Sequence, residues 1–126
     1  MTVDPTDLRK ALEREFRGKL LRLRQGYATY APEPAALGRL GLDSAATILV
    51  LLRGMLTLTG KPVPAEAAQL AVAAAAAAGF DAEHLLHVVR HRSDREWRCG
   101  AAEFENYMNA VEQAARFLDQ LQLGDQ

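Results

Sequence analysis

A chain of 126 residues suits one domain, large enough to bury a real core without disulfides or a structural metal. Apolar residues make up 49% and charged residues 25%, and the formal net charge is -1, a globular balance with no overall bias toward nucleic acid or lipid. The lone Cys99 cannot form an internal disulfide, and MTVDPTDLRK lacks the apolar stretch of a secretory signal, so a cytoplasmic protein is expected.

The elements follow in chain order. Asp4-Pro5 is an N-cap followed by proline at the first helical position, and Leu8, Leu12, Phe16, Leu20, Leu23 and Tyr27 recur three or four apart, predicting a helix over about residues 5–30. Ala31-Pro32-Glu33-Pro34 breaks it, and a second helix over about residues 34–59 runs to the stop at Gly60-Lys61-Pro62-Val63-Pro64. Ten of the fourteen residues from Ala65 to Ala78 are alanine, which predicts a smooth third helix over about residues 65–78 ended by Gly79. Asp81 caps a short helix over about residues 82–92, a polar connection carries Trp97, and a last helix spans about residues 101–123. No segment alternates with period two. The predicted fold is an all-α antiparallel bundle of about five helices, three long and two short, in a single domain over 1–126.

Charge is unevenly placed. Residues 1–31 hold seven Lys or Arg against four acids, and residues 99–126 hold one Arg against five, which favours packing of the first helix beside the last or binding to partners of opposite sign. Lys10, Arg14, Arg17 and Arg24 share one face of the first helix, with Lys19 and Arg22 on another. Such a stripe can follow a nucleic-acid backbone, but Glu13 and Glu15 interrupt it, so nucleic acid is not the expected partner.

The second helix is the best pointer to a site. Leu42–Thr59 is apolar on nearly every side, yet it carries Asp43, Ser44 and one cation, Arg53, and a charge in such a helix is costly unless it is paired or reaches water. A helical wheel puts Asp43, Thr47, Val50, Arg53 and Thr57 along one edge. Either Arg53 meets an anionic group such as a phosphate, with Asp43 or Ser44 orienting it, or it pairs with a carboxylate such as Glu15 or Glu112 and only fixes how helices meet. The apolar run Ile48–Leu52 is interrupted by Arg53 well short of the roughly 20 residues a bilayer crossing needs, and no membrane segment is expected.

His84, His87 and His91 stack on one face of the fourth helix, spanning about 10 Å at about 1.5 Å per residue, too far for all three to reach one ion. His87 and His91 are the pair that could share a metal, with a third ligand from Cys99 or a facing helix; a histidine-rich exposed face is the simpler alternative. Trp97 either anchors its loop or contacts a partner. GxxxxGK[ST], GxGxxG, CxxC and HExxH are absent, and no catalytic set or cofactor is expected.

At ALEREFRGKLLRLRQGY (Ala11 to Tyr27), followed by Leu42-Asp43-Ser44 and Leu51-Leu52-Arg53-Gly54-Met55-Leu56, the chain resembles the helical bundle that accompanies minimal nucleotidyltransferases and is related to HEPN domains. The resemblance covers about residues 8–120 and implies an accessory, substrate-binding bundle beside a catalytic partner or its own symmetry mate. The Gly-Ser turn and paired aspartates of the catalytic half are missing, and none of the histidines follows an Arg by four to six residues as in HEPN ribonucleases. The implied protein is a non-catalytic binding and interaction module, self-associating, with Asp43, Ser44 and Arg53 holding a nucleotide or substrate. A small metal protein using His87 and His91, and a plain dimerisation bundle without ligand, are the alternatives.

Overall fold

Proline and glycine set the helix boundaries. The computed structural model describes residues 4–121, and every regular element among them is an α-helix. Asp4 accepts the Thr6 N–H at 2.8 Å and Pro5 opens α1 (Pro5–Tyr30), while Pro34 opens α2 (Pro34–Thr59). Gly60 (φ 76°) ends α2 and Gly79 (φ 83°) ends α3 (Ala67–Ala78), both in the left-handed region that glycine enters without Cβ strain.

Three ends differ from the sequence expectation. α3 begins at Ala67 rather than near 65, because Glu66 turns its carboxylate to the Gln69 N–H at 3.1 Å and acts as the N-cap. α4 (Glu83–Arg90) is shorter than 82–92: Asp81 accepts the Glu83 N–H at 2.9 Å, and His91 and Arg92 close the helix in a turn. α5 (Ala101–Gln120) stops before 123, and 122–123 lie outside the described residues.

α2 is the central rod, packed against all four other helices with twelve of its residues buried. By length and composition it could cross a membrane, with a mean hydropathy of 1.6 over its most apolar window, despite Arg53. Half of that window is buried inside the bundle, where the same composition serves as core. α1 lies antiparallel to α2 in a register fixed by two glycines: Leu12 covers Gly54 and Leu40 covers Gly26, so close that a Cβ on Gly26 would sit 2.1 Å from Leu40 Cδ2.

The charge asymmetry joins the first helix to the last. Arg9 donates to the carbonyls of Asp119 and Leu121, Arg17 lies 3.7 Å from Asp119, and Arg24 lies 3.4 Å from Glu112. Exposed pairs of this kind contribute about 0–1 kcal/mol each, so they select the neighbour more than they hold it. Within this seam the Glu13 carboxyl titrates above its ordinary range. The first cause is hydrogen bonding to the Asp119 side chain, followed by burial and by the Asp119 charge, with Arg9 and Arg17 opposing. The folded chain therefore holds this proton more tightly than the unfolded chain, and the stability it confers is lost as pH rises through the folded pKa. Glu13→Gln is expected to melt higher than wild type at pH 7, with the difference shrinking as pH falls toward about 4, the ordinary carboxylate range; thermal melts across that interval check it.

The α4–α5 connection is tied to α2 rather than loose. The Cys99 N–H donates to the Pro34 carbonyl at 3.0 Å, the Trp97 carbonyl passes over Gly38, and the Trp97 ring faces Gly41. Trp97 is buried, as an anchoring residue would be. Glu103 closes the other end by accepting the Gly100 N–H at 3.0 Å.

Candidate anion-binding cleft

Asp43, Ser44 and Arg53 do not converge. Ten residues of helix separate Asp43 from Arg53, about 15 Å along the axis at about 1.5 Å per residue. The Arg53 guanidinium donates to the carbonyls of Pro64 and Ala65, both at 2.7 Å, so it fastens the connection between α2 and α3 and meets neither Glu15 nor Glu112. Glu112 pairs with Arg24 and Arg116 instead. The edge expected to form a polar seam is largely solvent-facing, with Asp43, Val50 and Thr57 exposed.

Ser44 is turned inward. Its hydroxyl donates to the Gly41 carbonyl at 2.8 Å and accepts from the Tyr107 hydroxyl at 2.7 Å, the arrangement that satisfies both groups. Burial pushes the Tyr107 phenol far above its usual range, with the Ser44 hydrogen bond opposing, and it stays protonated.

Asp43 belongs to a different gathering. The α1–α2 register brings Lys19, Arg22 and Leu23 of α1 opposite Leu40, Asp43 and Ser44 of α2 around a cleft of about 90 Å³. Arg95, from the α4–α5 connection, reaches over to Asp43 Oδ1 at 3.6 Å. Lys19 and Arg22 have no ion-pair partner among the described residues, so Lys19, Arg22 and Arg95 bring three positive charges against the one negative charge of Asp43, a surplus of two. Two unneutralised cations over an apolar floor of Leu23 and Leu40 form a receptor for a small anionic group. A whole ligand-sized pocket is about 300 Å³ or more, so this cleft can seat one group of a larger molecule.

The histidines do structural work around Trp97. The His91 ring stacks on the indole, with centroids 4.8 Å apart and planes 8° from parallel, and its Nδ1 lies 2.7 Å from the His87 carbonyl. His87 meets the indole edge-on at 5.4 Å and places Nε2 2.6 Å from Glu103 Oε2. His84, His87, Asp81, Glu83, Glu103 and Asn106 line an open cleft of about 330 Å³, but among the described residues no three His, Cys, Asp or Glu are arranged to hold a metal ion. Cys99 is buried, and burial first, with the Glu103 charge second, pushes its thiol up to about 12. A thiol protonated at neutral pH is a poor nucleophile.

The remaining large concavity is an apolar groove of about 440 Å³ between α3 and α4, bordered by Val72, Leu86 and Arg90. Comparison with protein-family models, curated proteins and solved structures gives no match for this chain.

Proposed function

We propose that this chain is a non-catalytic helical binding module that holds an anionic group of a phosphorylated ligand in the α1–α2 cleft. The surplus of two positive charges around Asp43 carries the reading. Support also comes from the groups that are already committed elsewhere: Arg53 to loop carbonyls, Ser44 to Tyr107, and the thiol of Cys99 to the interior. In the nucleotidyltransferase-like setting that the sequence resembles, the module acts in the cytoplasm beside a catalytic partner or a second copy of itself and contributes ligand contacts rather than chemistry.

Titration with AMP tests it. Wild type is expected to bind with a Kd of about 1 mM or tighter, and Lys19→Glu/Arg22→Glu to weaken binding about tenfold or more. Arg53→Leu is expected to leave binding unchanged while lowering stability by about 1–2 kcal/mol, because the two loop carbonyls lose a charged donor. Binding that survives the double charge reversal, or that disappears with Arg53→Leu in a folded protein, would reject the cleft.

A further inference from the structure

We infer that Asp43 makes the α1–α2 cleft selective for a phosphoryl group borne on a hydroxyl-rich carrier, a sugar phosphate or nucleotide, over free inorganic phosphate. The inference rests on the anion-binding reading above and adds what the ligand must bring with its charge. An anion drawn to Lys19 and Arg22 arrives beside a carboxylate that shares the cleft lining with them and is held at its mouth by Arg95, 3.6 Å away.

Inorganic phosphate, mostly dianionic near neutral pH, turns its outer oxygens toward Asp43 and meets like charge. A phosphate monoester can instead aim its ester side at Asp43 and follow it with a hydroxyl that donates to the carboxylate, converting repulsion into a charge-assisted hydrogen bond. The cleft volume of about 90 Å³ fits this division of labour. It seats the phosphoryl group between α1 and α2 and leaves the carrier outside, where Asp43, with its side chain 63% exposed, can read it. Leu23 and Leu40 offer no competing donor or acceptor side chain to a ligand on the cleft floor.

Calorimetric titration of the whole chain with ribose 5-phosphate and with inorganic phosphate, for wild type and for Asp43→Asn, decides the point. Wild type is expected to favour ribose 5-phosphate about tenfold, the size of one charge-assisted hydrogen bond. Asp43→Asn is expected to bring the ratio close to one, chiefly by tightening inorganic phosphate. Asp43 is exposed, so Asn is accommodated without repacking, and a circular dichroism melt confirms the fold. If both ligands bind through Lys19 and Arg22 but Asp43→Asn leaves their ratio unchanged, the selectivity role is wrong and the anion cleft stands. If neither ligand binds wild type, the cleft reading falls and this inference falls with it.

Discussion

Gly38→Ala is expected to destabilise the bundle by about 3 kcal/mol, combining the cost of forcing extra volume into a packed contact with partial loss of indole burial. A Cβ at this position would lie 2.0 Å from the Trp97 carbonyl oxygen and 3.0 Å from its carbonyl carbon, and backbone cannot swing aside as a side-chain tip can. The α4–α5 connection must lift away from α2, breaking the hydrogen bond from the Cys99 N–H to the Pro34 carbonyl and uncovering Trp97. Trp97 is the chain's single tryptophan, so its emission should move to longer wavelength in the same variant whose melting temperature falls. Gly18→Ala supplies the opposite sign. Gly18 has nothing within 4 Å of its would-be Cβ in the middle of α1, and alanine there should stabilise by about 0.5–1 kcal/mol through helix propensity alone. Equal melting temperatures for the two variants would show that Gly38 is not pressed against the connection.

The second large effect lies at the buried hydroxyl pair. Ser44→Ala removes the acceptor of the Tyr107 phenol, which is 2% exposed and has no other hydrogen-bond partner among the described residues, and is expected to cost about 2 kcal/mol. Tyr107→Phe removes the donor but leaves Ser44 bonded to the Gly41 carbonyl, so it should cost about 1 kcal/mol or less. The double variant leaves no orphaned hydroxyl and should be more stable than the sum of the two losses predicts. Chemical denaturation of the four proteins gives the coupling directly. Strict additivity would mean that the two hydroxyls do not depend on each other.

The helices were legible because their punctuation is local. Asp4-Pro5, Pro34, Gly60 and Gly79 act through their own φ angles and capping atoms, and the observed ends of α1 and α2 coincide with those expected. Where a boundary moved, a neighbouring side chain competed for the same backbone donor: Glu66 took the Gln69 N–H and delayed α3. The anchoring of Trp97 was legible as one of two readings, since a large aromatic in a polar connection has few other places to go.

The site was legible only in part. Asp43 stood out as a charge in an apolar helix, but its companions Lys19 and Arg22 come from α1 through a register set by Leu12 on Gly54 and Leu40 on Gly26. That register depends on two helices at once, and neither pattern alone carries it. Arg53 was correctly marked as unusual, yet its partners are the main-chain carbonyls of Pro64 and Ala65, which every residue possesses and no side-chain pattern announces. Likewise, the i, i+4 spacing of His87 and His91 suited a shared ion, but the indole beside them takes one ring face-on and the other edge-on.

The alanine-rich α3 has a mechanical consequence. Its buried face is Leu70, Ala71, Ala74 and Ala75, so one leucine is the only large knob that fixes its position along the axis. The rest of that face is close to a smooth cylinder, able to slide against α2 and α5 with little steric resistance. What locates the cylinder lengthwise is its two ends: the guanidinium grip on Pro64 and Ala65 before it, and the left-handed turn at Gly79 after it. Arg53 thus works as an axial stop, and a shear motion of α3 is the deformation this bundle is built to permit once that stop is released.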